Sequence, residues 1–231
     1  MFDGFFIHSR GGGAAGFDGD LAIRGRALAY RIRDDIDVPV LQFETETDVG
    51  PLLRFASARQ PDGPNLRTWE VTGTAHADTY LVGDDFTFCA HGINDGPQHY
   101  VAKAALAALL AWVRDGDQPP RGDPIATGGP DGVTVRRDDD GIALGGIRTP
   151  SVEVPIAVLS GEAPEGSELL CSLFGSTTPF DAEALAARYG TADQYRAAFD
   201  GALDATVEQG FVRPEDRHAY AAEAREVTFP A

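Results

Sequence analysis

The stretch from Val38 to His76 constrains the chain most. Val38-Pro39-Val40-Leu41-Gln42-Phe43 is the apolar run of a buried strand, with Pro39 early enough for its missing N–H to be tolerated. It passes into an acidic turn, Glu44-Thr45-Glu46-Thr47-Asp48. A second strand, Leu66 to Val71, closes in Thr72-Gly73-Thr74-Ala75-His76. Between them Val49, Leu52, Leu53 and Phe55 fall at helical spacing, ahead of the loop Pro61-Asp62-Gly63-Pro64. Strand, short helix and strand in this order suggest a right-handed parallel crossover. A carboxylate just past one strand and an imidazole just past the next are then one strand apart in space. A histidine serving as general base needs a carboxylate to fix its tautomer and a nucleophile on its other side. Asp48 and His76 are the candidate acid and base. Glu46, on the same turn, is the competing acid. Asp48 is preferred because it stands further past the strand end, with Glu44 and Glu46 then read as solvated.

The remainder reads as an α/β chain. With 231 residues of which 43% are hydrophobic, one sizeable core and a single domain over 1–231 are expected. Phe2 to His8 forms a short strand ended by Gly11-Gly12-Gly13, and Asp20 to Arg33 suggests a helix despite Gly25. Thr79 to Val82 reads as a short helical turn. From Gln98 a helix runs to about Arg114, with Val101, Ala105, Ala108, Leu109 and Trp112 on one stripe and Gly116 after its end. Residues 132–144 have the form of a hairpin around Asp138-Asp139-Asp140-Gly141. Towards the C-terminus Asp181 caps a helix reaching Tyr189. Thr191 with Gln194 makes a capping box for the next, which buries Tyr195, Phe199, Leu203 and Val207. Pro214 starts a third, to about Arg225.

Composition excludes some functions. A net charge of -17 argues against a nucleic-acid partner, because phosphate binding needs clustered Lys and Arg. The run Ala104 to Val113 is too short to span a bilayer, so no membrane partner is expected. The first residues lack a basic stretch followed by an apolar one, so the chain as given reads as cytoplasmic, its true location being unknown. Cys89 and Cys171 sit in apolar surroundings without metal-ligand spacing and are expected to be buried free thiols. The Asp138–Asp140 run lacks the alternating ligands of a calcium loop and reads as a solvated turn. No cofactor is expected, since no phosphate-cradling glycine loop opens a helix.

The nucleophile is the missing piece. Ile7-His8-Ser9-Arg10-Gly11 is the nearest approach to a Gly-x-Ser-x-Gly turn, but it lacks the first glycine and glycines follow where a helix should begin. Ser176 follows the histidine in the chain, the wrong order for it. His8, His91, His99 and His218 show no repeated ligand spacing and read as structural or surface residues, His99 with some scope for hydrogen bonding near the site. Arg148 is expected to pin the hairpin loop against a carboxylate.

Leu41 to Asp48 with Thr68 to His76 resembles the bacterial "alpha/beta hydrolase domain" proteins. So do Ile93-Asn94-Asp95-Gly96-Pro97-Gln98-His99, Gly145-Gly146-Ile147-Arg148-Thr149-Pro150 and Phe174-Gly175-Ser176-Thr177-Thr178-Pro179-Phe180. The resemblance implies a partial α/β-hydrolase fold, the C-terminal strands and helices of its parallel sheet, with a β-hairpin insertion and C-terminal helices. It implies Asp48 and His76 in the acid and base roles, and an esterase-like serine hydrolase acting on a small-molecule ester. It also implies that relatives continue upstream through a nucleophile elbow, with a small aliphatic residue where Met1 stands, so that this chain is a truncated form, inactive alone. The alternative is a non-catalytic binding module or degenerate fragment that needs a partner chain or self-associates through an open sheet edge.

Overall fold

The computed structural model describes residues 2–13, 29–83 and 86–228. Three parallel strands carry the site: β1 (Phe5–His8), β2 (Val40–Thr45) and β3 (Leu66–Val71), hydrogen-bonded in that order. Val40 pairs with Leu66 and Thr45 with Val71, so β2 and β3 end side by side. The fold is α/β, as the sequence suggests. The helix suggested over Asp20 to Arg33 falls largely on residues 14–28, outside the described ones.

The acidic turn proves shorter than expected. β2 continues through Glu44 to Thr45, and Glu46–Val49 forms α1, a single turn capped by Thr45. Glu44 and Glu46, expected to be solvated, are both fully buried. Regular pairing with β3 draws Glu44 inward, and the capping box turns the chain before Glu46 can reach water. The helix anticipated from Val49 to Phe55 is broken by Gly50-Pro51 and by Arg54 at φ 61°. It resumes only as a 3-10 turn over Phe55–Ala58.

Beyond β3 come α2 (Thr79–Val82) and α3 (Gln98–Asp115), the latter ending on Gly116 in the left-handed region. Val101, Ala105, Leu109 and Trp112 of α3 pack on Leu41, Phe43, Trp69 and Val71, which covers one face of the sheet. The hairpin region is partly realised. β4 (Thr127–Gly128) pairs antiparallel with β5 (Thr134–Val135), while an isolated bridge from Arg137 to Ala143 flanks the Asp turn. Arg148 meets the expectation for it, donating to the Ala143 carbonyl at 2.6 Å and pairing with Glu153.

Then follow α4 (Pro150–Glu153), β6 (Ala157–Ser160), α5 (Leu169–Ser172) and β7 (Ser176–Pro179), with β6 and β7 antiparallel. The C-terminal helices are α6 (Ala182–Tyr189), α7 (Ala192–Glu208) and α8 (Arg217–Glu226), the last preceded by a 3-10 turn at Pro214–Asp216. The Thr191/Gln194 capping box is present. Tyr195, Phe199 and Leu203 pack with Tyr100, Val212 and Tyr220 in a second core. Among the described residues no helix is long and apolar enough to cross a membrane.

The cysteines overturn the expectation of free thiols: Cys89 and Cys171 form a disulfide across 82 residues of sequence. The reason is tertiary. Asn94 N–H donates to the Phe174 carbonyl at 2.8 Å and Ala77 N–H to the Leu173 carbonyl at 3.1 Å. These bonds draw α5 against the loop after α2, where Ile93, Phe86 and Phe174 form a small apolar cluster around the bridge.

Candidate active site

The C-terminal ends of β2 and β3 place the site. Thr45 caps α1, and Asp48 answers from the third helical position, accepting from Thr45 N–H at 2.7 Å and Thr45 Oγ1 at 2.6 Å through Oδ2. This leaves Oδ1 aimed across to the turn after β3, where it meets His76 Nδ1 at 2.8 Å. Asp48 is fully buried, while the His76 side chain is 34% exposed. The bond to Asp48 raises the His76 pKa above its ordinary value, with burial opposing. When His76 is neutral, a carboxylate on Nδ1 holds the proton there and leaves the Nε2 lone pair free to accept one.

The backbone of the turn is fixed as firmly as the ring. His76 N–H donates to Thr47 Oγ1 at 3.2 Å, and that hydroxyl donates to the Gly161 carbonyl at 2.6 Å. Gly73, at φ +73°, makes the turn out of β3, and a Cβ there would stand 2.7 Å from a Val152 methyl. Asn94 reaches in to donate to the Gly73 and Ser160 carbonyls, both at 3.1 Å, and Gln98 to the Ala75 carbonyl at 2.7 Å.

Glu46, the competing acid in the sequence, lies elsewhere. Its carboxylate accepts from Gly73 N–H at 2.9 Å, Gly161 N–H at 3.0 Å and Arg137 at 2.7 Å. It braces the turn after β3 against β6 and makes no hydrogen bond to His76. Asp48 and His76 are brought together, and Glu46 stands behind them.

Among the described residues no hydroxyl hydrogen-bonds to His76 Nε2. Ser176 donates to the Glu162 carbonyl at 2.8 Å and Ser160 lies 3.3 Å from Glu46. Ser9 follows β1 at φ 54°, with its hydroxyl buried and unpartnered.

His8 reads from the sequence as a structural or surface residue, and the structure sets it where the charges of Asp48 and His76 reach it. At the end of β1 its ring stacks on Phe43 with centroids 5.0 Å apart, and burial pushes its pKa down although Asp48 pulls it up. A histidine ending a strand adjacent to that of the acid was the available signal. Thr47, Asn94 and Gln98 sat inside quoted motifs without an assigned role, because their partners are backbone groups that no spacing rule reveals. Among the described residues no cluster of three or more His, Cys, Asp and Glu is placed to hold a metal ion.

Residues 1–222 match the family model described as "Alpha/beta hydrolase domain". The chain belongs to that family. Membership makes it a hydrolase-type domain, and the parallel sheet with helices against it accords with this. A stretch of 117 residues is 31% identical to the sulfite reductase [NADPH] flavoprotein alpha-component of Zymomonas mobilis, covering 47% of this chain and 18% of that protein. So small a share of that protein transfers neither its name nor its cofactors to this member of the alpha/beta hydrolase domain family. No solved structure matches.

Proposed function

We propose that Asp48 and His76 are the acid and the general base of a serine hydrolase that cleaves an ester or related acyl bond. The serine nucleophile in this reading lies outside the 231 residues. The observation that carries the proposal is the 2.8 Å contact between a buried carboxylate and Nδ1 of a part-exposed imidazole at the ends of adjacent parallel strands. Nε2 takes the proton of the attacking hydroxyl, and Asp48 stabilises the imidazolium that forms. The same proton then passes to the leaving alcohol as the tetrahedral intermediate collapses to an acyl-serine. Water hydrolyses that ester by the reverse sequence.

The test compares two forms of the protein. The 231-residue chain alone is expected to turn over p-nitrophenyl acetate no faster than its His76→Ala variant. The native polypeptide from its source cells is expected to hydrolyse it, to label with a fluorophosphonate on a serine outside these residues, and to lose both properties in His76→Ala. Ordinary enzymatic turnover by the short chain that vanishes with His76 sinks the external serine. A native polypeptide that neither labels nor turns over ester sinks the hydrolase reading.

A second reading, a module that binds a partner chain or a second copy, draws on the sheet edge. Among the described residues β1 is an outer strand, Phe2 beside it is 75% exposed, and Phe5, Leu106 and Leu110 are also exposed. Sedimentation of a well-folded monomer at micromolar concentration counts against this reading.

A further inference from the structure

A cavity of about 470 Å³ lies between the N-terminal end of α3, β6 and the helices α7 and α8. Its size is that of a small-molecule site. Val154, Ile156, Leu159 and Phe199 give it an apolar lining, while its charged lining consists of Asp95, Glu223 and Glu226. Among the described residues neither lysine nor arginine lines it.

The cations nearest the cavity stand outside its lining in pairs of their own, although the charge of Lys103 reaches Glu223. Lys103, the only lysine in the chain, lies over the Tyr100 ring at 5.0 Å and pairs with Asp216 at 3.5 Å. Arg196 pairs with Asp193 at 2.9 Å and donates to the Val227 carbonyl at 3.0 Å.

The three carboxylates therefore face one opening without a counter-charge from its lining. Glu223 accepts from the Tyr100 hydroxyl at 2.7 Å; burial raises its pKa, that hydrogen bond and Lys103 oppose the rise, and the charges of Asp95 and Glu226 add to it. A cation at the opening relieves that repulsion and an anion adds to it.

The aromatic wall points the same way. Tyr80 and His99 line the cavity and stack with centroids 3.9 Å apart, and the rings of Tyr195 and Phe199 line it as well. His99 Nδ1 is buried and has no hydrogen-bond partner. Burial and then Lys103 push the His99 pKa down to about 4, so the ring is neutral at neutral pH and brings no positive charge to the wall. Ring faces beside carboxylates favour an ammonium group.

We propose that this cavity binds an organic ammonium ion, an amine bearing a compact alkyl or aryl body. The body packs against Leu159 and Phe199, and the ammonium group sits between Asp95 and Glu223 at the opening. The apolar lining distinguishes this ligand from a bare metal ion, which would leave most of the cavity unfilled. The site stands independently of the hydrolase reading, so its test requires no turnover.

Isothermal titration calorimetry of the full chain at pH 7.5 with 2-phenylethylammonium, neutral 2-phenylethanol and anionic 3-phenylpropanoate decides the matter. The ammonium is expected to bind about tenfold or more tightly than the alcohol, a difference of about 1.4 kcal/mol or more, with no heat from the carboxylate. Glu223→Gln keeps an acceptor for Tyr100, and Asp95→Asn changes an exposed residue. Each is expected to reduce the preference for ammonium over alcohol. Equal binding of ammonium and alcohol overturns the proposal. So does ammonium binding that survives both substitutions unchanged, which would place it elsewhere on an acidic surface, and so does the absence of heat from all three compounds at millimolar concentration.

Discussion

The two faces of β2 are built on different principles, although all six of its residues are buried. Towards α3 it presents Leu41 and Phe43, which pack with Trp69, Val101 and Leu109. Towards the other side it presents Gln42 and Glu44, alongside Thr68 and Glu70 of β3. Glu70 is fully engaged there: Arg59 donates to its two oxygens at 2.7 and 2.6 Å, and Ile125 N–H adds a bond at 2.8 Å. Glu44, its cross-strand neighbour, has no side-chain partner among the described residues; the charge and backbone of Arg10 give it partial relief. The apolar face is held by volume and area, which many sequences can supply. The polar face is held by particular pairings, and among the described residues Glu44 and the Gln42 amide nitrogen are left out of them.

The largest effect is expected where a pairing is broken. Glu70→Ala removes the carboxylate that neutralises Arg59, leaving the guanidinium only Thr127 Oγ1 and the Ile125 carbonyl, orphans the buried Ile125 N–H, and should cost about 4 to 5 kcal/mol in urea unfolding. Phe43→Ala, on the opposite face, removes a ring from a packed core and should cost about 3 to 4 kcal/mol. If Glu70→Ala costs under about 1 kcal/mol, the polar face owes its stability to packing after all and the contrast fails.

That contrast also explains what was legible in the sequence. β3 and the long helix α3 were placed correctly because their signals, an apolar run and a 3.6-residue stripe, lie within the segment itself. The Thr191/Gln194 box was legible for the same reason. The burial of Glu44 and Glu46 was not, because the patterning rule assigns charged residues to water. Arg137, two backbone N–H groups, the Ser160 hydroxyl and a neighbouring strand make another placement possible for Glu46. The Cys89–Cys171 bridge was invisible because it depends on α5 meeting a loop far away in sequence. At the site, Asp48 and His76 could be singled out from strand ends, whereas the bracing by Thr47, Asn94 and Gln98 runs through carbonyls that carry no sequence identity.

Glu44 sharpens the comparison from the other direction. Burial, followed by the charge of Asp48, pushes its pKa up from 4.5 to about 10. A folded-state value above the unfolded one means that its contribution to stability is fully present below about pH 4.5 and is lost progressively as pH rises towards the folded value. At pH 7 the cost of keeping it protonated is about 3 kcal/mol. Glu44→Gln keeps the shape and removes the titration, so it should raise stability at pH 7 by up to that amount. The gain should shrink towards zero as pH falls to 4.5, the unfolded value. Thermal or urea unfolding across this range checks it, and a gain that does not change with pH would assign the effect to packing rather than to charge.

The smallest effect belongs to the site. His76 also has a raised pKa, but its cause is opposite to that of Glu44: the hydrogen bond to Asp48 favours the charged ring more strongly than burial disfavours it. The sign of the linkage is nevertheless the same. The stabilisation is complete below the ordinary histidine value of 6.5 and is lost as pH rises through the raised one. Asp48→Asn removes the carboxylate charge while an amide oxygen can still accept from Nδ1. The His76 ring proton resonances, followed by NMR, should then titrate at lower pH than in the unsubstituted chain. The pH dependence of stability should flatten above 6.5. A His76 that titrates at the same pH in both proteins would mean that the contact with Asp48 is positional only. The ring would then lack the electrostatic support that a general base needs as its imidazolium forms.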